Sequence, residues 1–563
     1  MKRHLLVVTI VLFLLAGCTA TLGAGSAPTS TSTPPPAVPT HTPTPWPSAT
    51  PLPSPTPFPD LKIFIAPNIP PALIEQIKLA PQASYVTDPA QANLRLTGAR
   101  DVWNSATWIY ALAAPFPTVL DGVSLKELQA AWRGQGAKVL GDRPLWMTVE
   151  TLATFSAQWG APAETAVAVF PADELLERAW DAGTAWVILP FEALEPRWKV
   201  LRVDGQSPYD QAFAPRQYPL TVYYGLYGEE AFMTALKELP TLPVELPATN
   251  RREDKFTALI LTGTTALVRH TALRMEEEGV LYPAVQIGDY LRSADLLHIS
   301  NEVSFDSNCP PAKPLYTGAR FCSAPAYWEL LDSLEVDLIE LTGNHMLDWK
   351  SPPFLATLDL YREQGVPYYG GGIDLTEARR PLLLEHHSNR LAFVGCNAAG
   401  PAMVLADGDR PGAAACEDLA WLAAQVSDLK SQGYLVVVTF QAIEVDDYAP
   451  SSAQTVNFGR IAALGPVIVS GSQSHFPQGM AFHEATFIHY GLGNLFFDQM
   501  DRDHRRAFID RHIFYDGRYL GVELATTMME DYAQPRWMTP VERAKLLGFA
   551  FAASDWKNAI APR

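Results

Sequence analysis

The stretch VDLIELTGNH, residues 336–345, is a short apolar run that ends in the polar side chains of Asn344 and His345. Six more runs in the C-terminal half have this form: FTALILTGT (256–264), LLHISNE (296–302), LAFVGCN (391–397), YLVVVTFQAIE (434–444), PVIVSGSQSH (466–475) and TFIHYGLGN (486–494). Apolar, β-branched runs of this length predict buried strands. Because ligands bind beyond the carboxyl ends of strands in open α/β sheets, we expect these polar ends to converge on one site.

The length and charge of the chain limit its organisation and its partners. A chain of 563 residues predicts two globular units plus additional segments rather than a single core. The formal net charge is −18, and no long run of Lys or Arg is present. This charge argues against nucleic acid or an anionic membrane surface as an electrostatic partner. The sequence leaves the oligomeric state open.

The first eighteen residues have the pattern of an export signal. Lys2 and Arg3 form a basic start, and an apolar stretch runs from Leu5 to Leu15. That stretch is too short to cross a bilayer as a mature helix, so residues 1–18 are predicted to direct export. The sequence LAGC at residues 15–18 resembles the bacterial lipobox, which implies lipid modification of Cys18 and an extracytoplasmic, membrane-anchored lipoprotein. An ordinary signal with a chance cysteine is the alternative, and the membrane that holds the anchor stays open.

Residues 19–59 are predicted to form a disordered stalk. They contain thirteen prolines interleaved with Thr and Ser and no Asp, Glu, Lys or Arg. Such a segment cannot bury apolar surface, and it stays extended in a polyproline-like state. At about 3.1 Å per residue its reach is on the order of 100 Å, enough to hold folded domains away from a membrane.

The cysteines agree with export. Besides Cys18 the chain has four, Cys309, Cys322, Cys396 and Cys416, and an even number in an oxidising compartment suggests two disulfides. Of the three connectivities we favour the sequence-local pairing, 309 with 322 and 396 with 416. A thiolate site for a soft metal is the alternative, although the C-x-x-C spacing is missing.

The first folded unit, residues 60–248, alternates short strands and helices. The stretches WIYALAAPFPTVLDGVSLKELQAAWRG (108–134), AWVILPFEAL (185–194) and YPLTVYYGL (218–226) resemble the type 2 periplasmic solute-binding fold, particularly its phosphate-type branch. The resemblance covers roughly 180 residues of α/β structure and includes no ligand-specific motif. It implies a binding domain that has lost its transport role, and no binding residue can be carried over to this sequence.

The second unit, residues 255–563, contains three motifs in a recognisable order. LTGNHMLD (341–348), VSGSQSHFPQ (469–478) and IHYGLGNLFFDQ (488–499) are similar to motifs of the CapA family of capsule (poly-γ-glutamate) synthesis proteins. The resemblance implies a calcineurin-like metallophosphatase fold, a four-layer α/β/β/α sandwich. It also implies a role in the synthesis or anchoring of capsule or another cell-surface polymer, with an anionic polymer or a small solute as partner.

Only part of the family's ligand pattern is present. The matching positions are Asn301, Glu302, Asn344, His345 with Asp348 beyond it, His475 and Asn494. The family's first Asp is replaced by Thr264, and the His of its His-Trp-Gly loop falls on Gln441, with Glu444 nearby. Its Gly-His-His-Pro-His loop has become GSQSH at residues 471–475. Because Gln and Thr are poor ligands for zinc or iron, the usual two-metal centre is not expected.

Two kinds of site remain open. One divalent metal (Mn²⁺, Mg²⁺ or Zn²⁺) could bind Glu302, Asn344 and His475, or the site could hold no metal and use Glu302, His345 and Glu444 for acid–base catalysis. The predicted substrate-binding residues are Asn301, Gln441, Gln473, Asn494 and Arg269. The sequence therefore predicts either a metal-dependent hydrolase or transferase with an incomplete ligand set, or a non-catalytic lipoprotein that binds a solute or polymer at the cell surface.

Overall fold

The computed structural model of the protein describes residues 60–100, 102–313, 318, 320–501 and 503–556. The predicted signal, Cys18 and the predicted stalk lie outside these residues. Two α/β units follow each other along the chain, as the sequence predicts. No helix within the described ranges combines the length and the apolar character needed to cross a membrane.

The N-terminal unit is built on a sheet that a single long strand holds together. Its strands are β1 (Leu61–Ile65), β2 (Lys78–Leu79), β3 (Ala83–Val86), β4 (Leu94–Gly98), β5 (Ser105–Pro115), β6 (Gly122–Val123), β7 (Leu145–Met147), β8 (Val167–Val169), β9 (Trp186–Pro190), β10 (Trp198–Val203), β11 (Thr221–Gly228) and β12 (Val244–Glu245). Its helices are α1 (Pro71–Ile74), α2 (Leu125–Trp132), α3 (Val149–Trp159), α4 (Ala172–Ala182) and α5 (Glu230–Lys237).

Strand β5 divides that sheet into two halves. The strand order is β3-β1-β4-β11-β5-β9-β7-β8, with β10 also paired to β5. The first part of β5 pairs with β11, where Ser105 is opposite Gly225, and its second part pairs with β9, where Tyr110 is opposite Pro190. The unit therefore has two lobes that share one strand.

The described part of the C-terminal unit contains two large sheets and one two-stranded sheet. Its strands are β13 (Phe256–Thr262), β14 (Thr264–Thr265), β15 (Leu296–Asn301), β16 (Leu338–Glu340), β17 (Tyr368–Tyr369), β18 (Gly371–Gly372), β19 (Leu382–His386), β20 (Asn389–Asn397), β21 (Gly412–Ala413), β22 (Leu435–Gln441), β23 (Ile468–Ser470), β24 (Met480–His483), β25 (Thr486–His489), β26 (Asn494–Phe496), β27 (Arg506–Tyr515), β28 (Arg518–Glu530) and β29 (Gln534–Trp537). Its helices are α6 (Arg269–Glu278), α7 (Gly288–Leu291), α8 (Trp328–Ser333), α9 (Ser351–Gln364), α10 (Leu375–Ala378), α11 (Ala420–Ser431), α12 (Ser452–Ala462) and α13 (Pro540–Ala552).

These elements form the four layers α/β/β/α. One large sheet has the order β17-β16-β15-β13-β27-β28-β29, the other has the order β19-β20-β22-β23-β25-β24, and β18 pairs with β21 in the two-stranded sheet. Successive side chains of a strand point to opposite faces. Leu296 accordingly packs in the core between the sheets, whereas Leu297 packs under the helices. Phe393 and Val394 divide in the same way in the second sheet. Each of the seven apolar runs contains a strand, so that prediction is confirmed.

The two units are fastened together by polar and apolar contacts. The hydroxyl of Tyr209 donates to the carbonyl of Leu520 at 2.9 Å, and Arg543 Nε donates to Asp121 Oδ2 at 2.6 Å. Phe116 of the first unit stacks edge-on against Phe482 of the second, with ring centroids 5.3 Å apart. A change in one unit can therefore reach the other through side chains that are already in contact.

Both disulfides have the sequence-local pairing. Cys309 is bonded to Cys322, and Cys396 is bonded to Cys416. The second disulfide lies in the core beneath α11, while the first closes the loop that precedes α8.

Buried His512 makes the fold sensitive to acid. Burial lowers its pKa from 6.5 to about 4, against the opposing effect of nearby Asp510. The folded protein therefore resists protonation that the unfolded chain accepts, so stability falls as the pH drops from about 6.5 to about 4. We expect this residue to account for about 3 kcal/mol of that fall. Urea unfolding of the wild type and of His512→Gln across this pH range measures the contribution of His512 to this loss of stability.

The variant should lose less stability than the wild type on acidification, by about that amount. Glutamine preserves a partner for the hydroxyl of Tyr519, which lies 2.8 Å from His512 Nδ1. Equal pH dependence of the two proteins would contradict the assignment.

Candidate functional site

The imidazole of His475 lies between two carboxylates. Its Nε2 is 3.4 Å from Glu302 Oε1 and 3.2 Å from Glu444 Oε1. Glu302 follows β15 in the first sheet, while Glu444 and His475 follow β22 and β23 in the second. The Glu302 side chain is fully buried, but that of Glu444 is 45% exposed. The site therefore joins the two sheets at their shared edge and opens to solvent on the side of Glu444.

Asn494 fixes the orientation of His475. The amide nitrogen of Asn494 donates to the carbonyls of His475 and His504 and to Gln499 Oε1, at 3.0–3.3 Å. Its amide oxygen must then face His475 Nδ1, which lies 2.8 Å away and donates the hydrogen bond. Nδ1 carries a proton in this arrangement, so Nε2 is the atom that faces the carboxylates.

A second histidine has its own carboxylate. His345 Nδ1 lies 2.7 Å from Asp348 Oδ2, and the same oxygen accepts a hydrogen bond from the backbone N–H of Phe321 at 2.8 Å. The ring of Phe321 packs 4.6 Å from the imidazole, centroid to centroid. Asp348 accepts hydrogen bonds from His345 Nδ1 and from the backbone N–H of Phe321. It therefore fixes the tautomer of His345, whose Nε2 can carry a second proton.

The charges around both imidazoles favour their protonated forms. Burial alone lowers the pKa of His475, but Glu302 and Glu444 outweigh it and hold that pKa well above its ordinary value. The pKa of His345 is likewise raised, because Asp348 and Glu302 oppose the effect of burial. The hydrogen bond from His475 lowers the pKa of Glu444. The pair of histidines and the carboxylates thus form one electrostatic unit.

Beneath this site, Glu340 holds the strand ends of the two sheets together. Glu340 ends β16 and is fully buried; it accepts hydrogen bonds from Ser472 Oγ and, at 2.7 Å, from Thr342 Oγ1. His298 Nε2 lies 3.4 Å from Glu340 Oε2. Burial raises the pKa of Glu340, but His298, Ser472 and Thr342 reverse this, so that the pKa is lowered.

The predicted residues Gln441, at the end of β22, and Gln473, in the loop after β23, have buried amides. Both are fully buried, and no hydrogen-bond partner for either amide lies within the described residues. The amide oxygen of Asn344, beside His345, is buried and unpaired in the same way. The amides of these three residues therefore offer polar atoms that a ligand could satisfy.

Three other predicted substrate-binding residues make different contacts. Asn301 ends β15, and its amide donates to Tyr361 Oη and to the carbonyl of Val303, both at 2.7 Å. Arg269 is paired with Asp498. The role of Asn301 in substrate binding stays a prediction, and Arg269 and Asn494 stabilise neighbouring side chains.

The donors at the centre of the site fit one cation. Glu302, Glu444 and His475 offer ligand atoms that all lie within 4.8 Å of one another. Carboxylate and amide oxygens with one imidazole suit an oxygen-preferring divalent ion such as Mg²⁺ or Mn²⁺. Glu444 therefore joins the predicted ligands Glu302 and His475 in this group, and the predicted ligand role of Asn344, whose amide oxygen is buried and unpaired within the described residues, stays a prediction.

Sequence reasoning missed two acidic residues. Glu340 was visible as a charge inside an apolar strand, a pattern that requires a buried partner. Asp498 follows the IHYGLGN run and pairs with Arg269, but its partner lies more than two hundred positions away in the sequence. Only the first of these two residues gave a signal that sequence reasoning could use.

The comparison with protein families supports the resemblance of the second unit. Residues 258–499 match the family model described as bacterial capsule synthesis protein PGA_cap. The PGA biosynthesis protein CapA of Bacillus subtilis (strain 168) is 21% identical over 296 residues, which are 51% of this chain and 74% of that protein. The family resemblance predicted from the three motifs of the second unit is confirmed.

Solved structures align with parts of this chain at low similarity. A novel phosphatase from Mycoplasma pneumoniae is 10% identical, with a TM-score of 0.30, in an alignment that covers 51% of this chain and 96% of the phosphatase chain. A putative 5'-nucleotidase from Staphylococcus aureus is 11% identical, with a TM-score of 0.32, in an alignment that covers 52% of this chain and 58% of the nucleotidase chain. An ABC-type phosphate transport receptor from Vibrio cholerae is 15% identical, with a TM-score of 0.23, in an alignment that covers 26% of this chain and 72% of the receptor chain. Likeness at this level does not establish a shared activity.

Loss of the Ser472 hydroxyl should loosen the loop that carries His475. Ser472→Ala removes a hydrogen bond to a buried carboxylate, so we expect the free energy of unfolding to fall by about 1.5–3 kcal/mol. Amide hydrogen exchange should increase in the peptides that cover residues 471–479. Urea unfolding and exchange followed by mass spectrometry measure the two effects.

Ser431→Ala provides the matched control. Ser431 is exposed at the end of α11, and its hydroxyl donates only to the carbonyl of Asp428. That change should alter stability by less than about 0.5 kcal/mol. Equal effects of the two substitutions would show that the contact between Ser472 and Glu340 does not hold the loop.

Proposed function

We propose that this protein is an exported, lipid-anchored surface protein that acts in the synthesis or anchoring of capsule or another cell-surface polymer. Its C-terminal unit would act as a hydrolase or transferase on a phosphoester or a γ-glutamyl amide. One observation carries the proposal: His475 lies within 3.4 Å of both Glu302 and Glu444, with the pair of His345 and Asp348 coupled to them. The family match and the name of the Bacillus subtilis relative support the biological setting.

The residues of the site divide the chemistry among them. Asp348 orients His345 and favours its protonated form, so His345 can donate a proton to a leaving group. Asn494 orients His475 toward Glu302 and Glu444. A divalent cation held by Glu302, Glu444 and His475 would polarise the reacting group and lower the pKa of a bound water. Glu444 faces solvent, which gives a substrate access to this centre.

Substitutions at the centre test the catalytic part of the proposal. Glu302→Gln and His345→Asn should each lower the turnover of a phosphoester or a γ-glutamyl amide by about a hundredfold or more, because each removes a charge or proton that the reaction uses. Steady-state hydrolysis with added Mn²⁺ or Mg²⁺ measures the loss. Circular dichroism checks that both variants keep the fold.

Glu329→Gln and His483→Asn are matched controls at positions remote from the site, in α8 and in β24. They should leave turnover unchanged. Wild-type activity that survives in Glu302→Gln and His345→Asn would remove these residues from the mechanism. Binding of short poly-γ-glutamate that is unchanged by EDTA, together with no turnover, would instead favour the second candidate, a non-catalytic binder. One observation favours that candidate: Gln441 and Gln473, whose amides are unpaired within the described residues, stand where the family resemblance places imidazoles.

The anchor can be tested separately. The LAGC sequence at residues 15–18 and the two disulfides of the folded part support export and lipid attachment at Cys18. We expect Cys18→Ala to lose incorporation of labelled palmitate and to leave the membrane fraction of the expressing bacterium. Cys309→Ala should keep the label. Equal labelling of the wild type and of Cys18→Ala would show that the cysteine is not lipid-modified.

A further inference from the structure

Two buried glutamines of the C-terminal unit lack the hydrogen bonds that buried amides normally make. Gln441 and Gln473 are fully buried, and the oxygen and the nitrogen of each amide are unpaired within the described residues. Buried polar groups without partners destabilise a fold, so a ligand or water is expected to satisfy them.

The same unit shows how buried glutamines are satisfied when their role is structural. Gln478 is also fully buried, and its Oε1 accepts a hydrogen bond from Gln454 Nε2 at 2.6 Å. The Gln478 amide nitrogen is within 3.4 Å of the carbonyls of Asp447 and Ala449. The free amides of Gln441 and Gln473 are therefore not a general property of glutamine in this fold.

Strand register places Gln441 beside the proposed reaction centre. Gln441 is the last residue of β22, where it is aligned with Asn397 of β20, and it lies three residues before Glu444. Val437, on the same face of β22, packs between the two sheets. Gln441 therefore points between the sheets, toward the strand ends of the first sheet.

Residues before and after Gln473 in the chain contact the first sheet. The residue before it, Ser472, donates to Glu340 of the first sheet, and two residues after it His475 contacts Glu302. Gln441 ends β22 and Gln473 lies in the loop after β23, both at positions where the family resemblance places imidazoles. Thr264, whose hydroxyl is buried and unpaired, stands at the position of the family's first Asp.

An amide differs from an imidazole in what it can bind. Its carbonyl oxygen is a weak ligand for zinc or iron, and its N–H₂ group is a neutral hydrogen-bond donor that suits an anionic oxygen. A carboxylate and two imidazoles, the groups that would hold a second cation, are replaced by Thr264, Gln441 and Gln473. The remaining close group of Glu302, Glu444 and His475 is sufficient for one cation.

We propose that this site holds a single divalent cation and that the N–H groups of Gln441 and Gln473 replace the second cation by hydrogen-bonding an oxyanion of the substrate. The oxyanion is a phosphoryl or a carboxylate group. This inference rests on the proposed location of the reaction centre, but it does not require turnover. It concerns how many cations bind and what holds the anion.

Counting bound cations tests the first part of the proposal, that the site holds a single divalent cation. Calorimetric titration of the full chain with Mn²⁺, checked by metal analysis after dialysis, should give one ion per wild-type chain. The triple variant Thr264→Asp, Gln441→His, Gln473→His restores the missing ligand types and should bind two. Gln432→His, at an exposed position at the end of α11, should still bind one. Two ions or none in the wild type would overturn the proposal.

Anion binding tests the second part of the proposal, that the N–H groups of Gln441 and Gln473 bind an oxyanion. Gln441→Leu and Gln473→Leu keep the approximate volume but remove the donors, so the affinity for the oxyanion should fall by about tenfold each. The probes are phenylphosphonate, which presents a phosphoryl group, and tri-γ-glutamate, which presents carboxylates; the tighter binder identifies the source of the oxyanion. Melting temperatures should stay equal or rise, because an unpaired buried amide has been replaced by an apolar group.

The outcomes separate this inference from the proposed function. Unchanged anion affinity in both leucine variants would overturn the role of the amides, even if the enzyme turned over substrate. A drop in affinity accompanied by a large drop in melting temperature would assign the amides to structure and would also overturn it. One bound cation with amide-dependent anion binding but no turnover would support the inference while removing the catalytic proposal.

Discussion

The site depends on the balance of charge around one buried imidazole. Glu302 is fully buried, and a carboxylate without a positive partner at such a position would strongly destabilise the fold. His475 comes from the opposite sheet and supplies that charge at 3.4 Å, with Glu444 completing the group at 3.2 Å. The two sheets of the sandwich are therefore joined at their polar edge by the same groups that can bind a cation. The contacts that hold the sheets together at this edge are therefore also the contacts that form the site.

The strands and the location of the site could be predicted because both follow from local patterns. Each apolar run was long enough to indicate a strand, and each ended in polar residues that converge in a parallel sheet. The side-chain assignments were less secure. Asn301 ends β15 and Glu302 follows it, and both were predicted at the site. The contact of Glu302 with His475 at 3.4 Å depends on the position of the second sheet, which the sequence alone does not give.

The contacts that the sequence could not supply are those between distant strands. Glu340 was visible as an acidic residue in an apolar strand, but its partner Ser472 is 132 positions away and is a residue of ordinary polarity. His475 was expected from its motif, whereas its simultaneous contact with Glu302 and Glu444 depends on how the two sheets meet. Register and sheet stacking decide these contacts, and neither has a strong local signal.

The replaced ligands indicate altered chemistry more strongly than a site that has lost its role. The supporting contacts are intact: Asp348 still orients His345, and Asn494 still orients His475. If only the fold had to be stabilised, apolar side chains at positions 441 and 473 would pack there without leaving unpaired polar atoms. The chain instead places amides there, whose N–H groups can hydrogen-bond an anionic group.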